Sequence, residues 1–149
     1  MILDKQNIVS PLAGQTVTAG SNSGILSDYS IDLGIAARNI GVGEDLYCVV
    51  QVVTLMAGAG DTCEVRLVTA AYAALNSPTT ILSLGTFPAN SAAGTRLIAK
   101  CPPSDSYLRY IGVEYITSGS GELSAGAFSA FFVKDIQAFT AYADAITIS

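Results

Sequence analysis

The chain contains no histidine, and only 13% of its 149 residues are Asp, Glu, Lys or Arg, about half the ~25% of an ordinary soluble domain. Without histidine the commonest general base is missing, so a Ser-His or Cys-His nucleophile pair is excluded and no enzyme is expected. The seven basic residues are scattered singly along the chain and the net charge is -5. A nucleic-acid binder needs clustered Lys and Arg to displace counterions, so that partner class is not expected. No stretch reaches the ~18 uninterrupted apolar residues of a membrane helix. The opening MILDKQN offers no basic end followed by a long apolar run, so no secretory signal is read there. Synthesis in the cytoplasm and no membrane association are the expectations.

Cysteine is scarce and odd in number. Cys48, Cys63 and Cys101 show no C-x-x-C spacing, and a zinc site would have to complete itself with carboxylates, an unusual set. If the strands around Cys48 and Cys63 form a hairpin about 58–60, position 48 pairs near 69 and the two thiols are held apart. Buried free thiols acting as small hydrophobes are expected, with no metal and no cofactor.

What the chain has in quantity is apolar surface: 50% of residues are hydrophobic. A domain this size buries roughly 70% of its unfolded surface, and so little charge leaves a thin polar coat for the rest. Large exposed apolar patches usually mark contact sites, which points to an oligomer or larger assembly.

Short β-branched and aromatic runs bounded by Gly, Pro, Ser and Asn clusters dominate, as in a domain of antiparallel strands. The stretch 107–134, YLRYIGVEYITSGSGELSAGAFSAFFVK, reads as two long strands paired in a hairpin about a Gly/Ser-rich turn. Residues 46–56, LYCVVQVVTLM, form a third strand that is apolar nearly all round. Residues 62–69 alternate, with Cys63, Val65 and Leu67 inward and Glu64 and Arg66 outward. Further strands are read at 15–19, 25–33, 79–84 and 95–101. In the last of these Leu97, Ala99 and Cys101 share one face, opposite Arg96 and Lys100. Residues 34–45 read as a connection with room for one helical turn at 35–39, 70–75 as a short helix or loop, and 85–94 as a long polar connection. Pro11 and Gly14 make 1–14 an N-terminal arm or an edge strand. After position 135, Ile136, Phe139, Tyr142 and Ile146 recur at helical spacing although 147–148 suit an extended end. Free termini are normally polar, so this apolar stretch is expected to dock, on its own subunit or on a neighbour. Eight or so strands with little helix make an all-β, antiparallel β-sandwich or barrel in a single domain, 1–149.

Other chemistry finds little support. Glu64, Glu114 and Glu122 lie on or near strands, but nothing places two together as a glycosidase pair. Asp28, Asp32, Glu44, Asp45 and Asp61 lack the spacing of a calcium loop. Gly41 and Gly43 form G-x-G without the later glycine or the parallel-sheet context of a dinucleotide site.

Several ordered segments, MILDKQNIVSPLAGQTVTA, SIDLGIAARNIGVGEDLYCVVQV, GTRLIAK and YLRYIGVEYI, resemble the small capsid cement (decoration) proteins of tailed double-stranded-DNA bacteriophages. The resemblance runs from Met1 to about Asp135. It implies a jelly-roll-like β-sandwich that forms homotrimers on the outer surface of the expanded capsid, bridges neighbouring major capsid proteins and braces the shell. Ile2, Leu3, Tyr107, Tyr110, Phe139, Tyr142 and Ile146 are the candidate subunit or capsid contacts. The alternative is a receptor- or carbohydrate-binding module of a virion spike or fibre, presenting loops such as 85–94.

Overall fold

A computed structural model describes residues 5–18, 24–34, 44–58, 60–103, 106–118, 123–134 and 136. After a 3-10 turn, Lys5–Asn7, the described residues form nine strands: β1 Ile8–Thr16, β2 Gly24–Leu26, β3 Ile31–Asp32, β4 Tyr47–Ala57, β5 Thr62–Ala70, β6 Thr79–Phe87, β7 Arg96–Lys100, β8 Tyr110–Ser118 and β9 Ala125–Val133. All pairings are antiparallel. Sheet I runs β1-β9-β4-β7. Sheet II runs β2-β8-β5-β6, with β3 also paired to β8. The chain changes sheet at every link except β2 to β3 and β5 to β6. This order, a four-strand and a five-strand sheet wound by crossovers, is the jelly roll.

That winding corrects the reading of 107–134 as a hairpin. β8 and β9 follow one another in sequence but lie in different sheets, each between two other partners. A strand apolar on both faces can take the middle of either sheet, so its pattern does not name its neighbour. A Gly/Ser-rich link can also span the ~10 Å between stacked sheets as easily as it closes a hairpin. The presumed hairpin of 46–56 with 62–69 fails in the same way, since β4 belongs to sheet I and β5 to sheet II. Cys48 and Cys63 nevertheless are free and buried, as is Cys101.

The core lies between the sheets. Val50, Val52 and Met56 of β4 and Phe128, Ala130 and Phe132 of β9 face Val65 and Leu67 of β5 and Val113 and Tyr115 of β8. Phe128 sits at its centre, 5.4 Å from Phe87 and stacked 5.2 Å from Tyr115, ring centre to ring centre.

The second apolar faces of the strands are partly covered within the subunit. The turn after β5 folds Leu75 onto the outside of sheet II, where it packs with Val68 and Ala70 beside Leu26 and Tyr110. On the outside of sheet I, Val49, Phe131 and Val133 pack with Ile8, Tyr47 and Ile136.

Other boundaries differ in detail. The strand read at 25–33 is two pieces, β2 and β3, which pair in turn with β8. The strand read at 79–84 continues to Phe87, and the short helix or loop read at 70–75 is a turn. The turn read at 35–39 and the stretch 137–149 lie outside the described residues.

Candidate interaction surface

The edge strand β1 is shaped by Pro11 and Gly14. Ser10 pairs with Ala130 and Gln15 with Phe128, so residues 11–14 stand against Ser129 alone and bulge out of the ladder. Pro11 has no N–H to give to a ladder. Gly14 has φ +97, and a Cβ there would lie 2.8 Å from the Ala127 Cβ and 3.2 Å from the Val53 Cβ. The bulge therefore rests on the outward side of sheet I and leaves Leu12 50% exposed. The link from β2 to β3 laces onto this edge, because the Tyr29 N–H donates to the Val9 carbonyl at 2.9 Å, and the Tyr29 side chain is 54% exposed. Between them is a groove of about 470 Å³ whose apolar wall is Ile8, Pro11, Leu12, Ala13 and Tyr29 and whose charged group is Lys5.

A buried polar chain fixes this edge to the second sheet. The Ser10 hydroxyl donates to Gln15 Oε1 at 2.8 Å and meets the Tyr115 hydroxyl at 2.8 Å. Gln15 Oε1 also accepts from the Asp28 N–H, and its Nε2 donates to the Leu26 carbonyl at 2.7 Å. Burial drives the Tyr115 phenol far above its ordinary range, so it stays protonated and available as a donor.

Sheet I carries more apolar surface outward. In the row Ile98–Val49–Phe131–Ile8, read across β7, β4, β9 and β1, the inner two are buried and Ile98 is exposed. Leu55 alternates with the buried Met56 and is exposed as well. One end of this face is charged. Asp45 pairs with Lys100 at 2.6 Å and Glu44 with Lys134, so the two acids before β4 reach the flanking strands β7 and β9. The opposite sheet holds Glu64, gripped by Arg66 at 2.9 and 2.8 Å and by Ser83 at 3.0 Å. The Arg66 bonds hold its carboxyl below the usual range, which suits a structural ion pair and not a general acid. Asp32 is held at about 2 by the paired Arg109 guanidinium and by the Gly34 N–H.

The candidate contacts read from sequence divide three ways. Tyr107 is 1% exposed, inside the core, with its hydroxyl donating to the Pro102 carbonyl; its ring is turned inward and offers nothing to a neighbour. Tyr110 is half-buried on the outside of sheet II, beneath the Arg109 guanidinium at 5.2 Å. Ile2, Leu3, Phe139, Tyr142 and Ile146 lie outside the described residues. The groove residues Leu12 and Tyr29 were not singled out by sequence, although Pro11 and Gly14 bracketing an apolar pair carried the signal. Ile98 was within reach too, since it shares the parity of Arg96 and Lys100. Among the described residues no three His, Cys, Asp or Glu gather as metal ligands.

Comparison with curated proteins found no match. Among solved structures, one of infectious bursal disease virus, Gx strain, aligns at 18% identity with a TM-score of 0.26. The alignment covers 79% of this chain and 30% of that one, and at this score it carries no inference about fold or function. The family model named Bbp16 matches residues 12–132, from within the β1 bulge to one residue short of the end of β9, and the chain belongs to the Bbp16 family.

Proposed function

We propose that this protein is a structural component of a bacteriophage virion, a cement protein that binds the outer surface of the expanded capsid and bridges its major capsid proteins. The observation that carries the reading is the uneven surface of the jelly roll. Of the large exposed hydrophobics among the described residues, Leu12, Leu55 and Ile98 lie on the sheet I side at 50%, 50% and 40% exposure, with Tyr29 beside Leu12 across the groove, while Tyr72, 68% exposed, stands apart on the turn after β5. A charge-poor domain that gathers large apolar residues on one side is built for burial against another surface. The family match and the resemblance to capsid cement proteins agree with that use.

The mechanism is mass action. A protein that binds the assembled shell and not its separated subunits stabilises the shell by its binding free energy. Acting as an oligomer, with the trimer as the expected form, it gains avidity because later contacts form intramolecularly once the first has formed.

The test mixes purified protein with undecorated expanded shells and measures what sediments with them. Saturable retention at a fixed number of copies per shell is expected, weakened by Leu12→Glu or Ile98→Glu in folded protein. No retention, or binding to glycans or host cells with indifference to shells, would replace the cement role with that of a receptor- or carbohydrate-binding module.

A further inference from the structure

We infer that the groove beside β1 receives a short apolar segment of the shell protein carrying one carboxylate, which the Lys5 ammonium takes, an assignment that rests on the cement reading. The groove is held open by bonds on both sides. One wall is the β1 bulge, which Gly14 lets rest against the Ala127 and Val53 side chains. The other is Tyr29, whose N–H donates to the Val9 carbonyl at 2.9 Å and whose carbonyl accepts from the buried Ser27 hydroxyl at 2.9 Å. Ser30, on the same margin, donates its hydroxyl to the Ala73 carbonyl at 2.8 Å. A concavity of about 470 Å³ with fixed walls takes an inserted segment at little ordering cost on its own side.

Charge selects the segment. Ile8, Pro11, Leu12, Ala13 and Tyr29 offer an occupant apolar contact, and Lys5 offers one ammonium. Arg66, Lys100, Arg109 and Lys134 each hold a carboxylate within the subunit. Lys5 is exposed and has no ion pair among the described residues. An apolar groove with one unspent cation complements an apolar segment with one carboxylate. An acidic run fits less well, because the net charge of -5 repels it. A second copy is a poorer source of the carboxylate. Asp32, Glu44, Asp45 and Glu64 already hold a base and Asp61 is buried, so the described surface of another copy has few acids to lend. The shell protein is the occupant that remains, and its segment would cover Leu12 and Tyr29 as the cement role requires.

The experiment binds the full chain, with a photo-crosslinking benzoylphenylalanine in place of Tyr29, to undecorated expanded shells. Irradiation and digestion should join position 29 to one shell-protein peptide, apolar and carrying an Asp, a Glu or the C-terminal carboxylate. Crosslinks to a shell peptide without a carboxylate, or to peptides of this chain from the same or another copy, would overturn the inference. Retention on the shell with no crosslink to it would do the same. Lys5 provides a second reading. Lys5→Gln should weaken shell binding about tenfold, the worth of one charge-assisted bond, and should flatten its salt dependence, while Lys5→Arg stays close to the parent. A Lys5→Gln protein that binds as tightly as the parent would overturn the inference and leave the cement role standing. Failure of the unsubstituted protein to bind shells would remove the cement role and this inference with it.

Discussion

The Tyr115 hydroxyl, on β8 of sheet II, donates across the sandwich to the Ser10 hydroxyl on β1 of sheet I, 2.8 Å away. The direction follows from the chain of bonds, because the single Ser10 proton is already given to Gln15 Oε1. One buried relay thus closes the open side of the jelly roll, from Tyr115 through Ser10 and Gln15 to the backbone at Leu26 and Asp28. Tyr115→Phe should cost about 1–2 kcal/mol, the worth of one buried bond with its partner left short. Gln15→Leu should cost more, about 3 kcal/mol, since it orphans the Asp28 N–H and the Leu26 carbonyl together. Urea unfolding of the two variants checks the order. A Gln15→Leu protein as stable as the parent would show that the relay holds nothing.

Gly112 is set by Leu75. A Cβ at 112 would lie 2.4 Å from Leu75 Cδ1 and 2.7 Å from Ser27 Oγ, and Leu75 is buried on the outside of sheet II. Gly112→Ala should destabilise by about 1–3 kcal/mol through overpacking. Leu75→Ala should destabilise by about 2–4 kcal/mol through lost burial. The double variant should cost less than the sum, because removing Leu75 relieves part of the clash. Additive costs in denaturant titration would separate the two residues.

The three thiols are predicted inert in the native protein. Burial pushes Cys63 and Cys101 up to about 12 and raises Cys48 well above its ordinary value, so none offers a thiolate or a path to reagent. An aromatic disulfide reagent at pH 8 should label no thiol until the chain unfolds, then label all three. The linkage has a definite sign. The folded pKa values lie above the ordinary 9.0, so the stability tied to protonated thiols is full below pH 9 and is lost as pH rises from there towards 12. Rapid native labelling at pH 8 would contradict this.

At the acid end the sign reverses. Asp32 titrates at about 2 against an ordinary 3.8 because Arg109 hydrogen-bonds it. Its contribution is present above about pH 4 and is lost as pH falls through 2. Glu44, Asp45 and Glu64 are shifted the same way by their own partners. All are exposed or nearly so, which makes the effect small and salt-sensitive. Asp32→Asn should flatten the fall in melting temperature between pH 4 and pH 2, and an unchanged profile would remove Asp32 from the acid response.

Strand content and the sandwich were legible because the apolar runs are short, β-branched and punctuated by turns. Residues 62–69 alternate so plainly that their inward face, Cys63, Val65 and Leu67, could be read directly, and the structure buries all three. Pairing was not legible. β4, β8 and β9 are apolar on both faces, and nothing in such a strand distinguishes a sequence neighbour from a strand across the sandwich. The exposed apolar surface was hidden for a related reason. Leu12 and Tyr29 look like ordinary core residues until a bulge at Gly14 and a single bond from the Tyr29 N–H to Val9 turn them outward. Tyr107 shows the converse, an aromatic that reads as a contact and is turned inward by the Pro102 carbonyl it bonds.

The proposed cement role requires that this jelly roll bind a capsid shell and brace it. The most direct measurement titrates the protein onto undecorated expanded shells and follows their melting temperature together with the copies retained per shell. Melting temperature should rise with occupancy and level off where retention saturates. Shells that retain no protein, or retain it without any gain in stability, would contradict it.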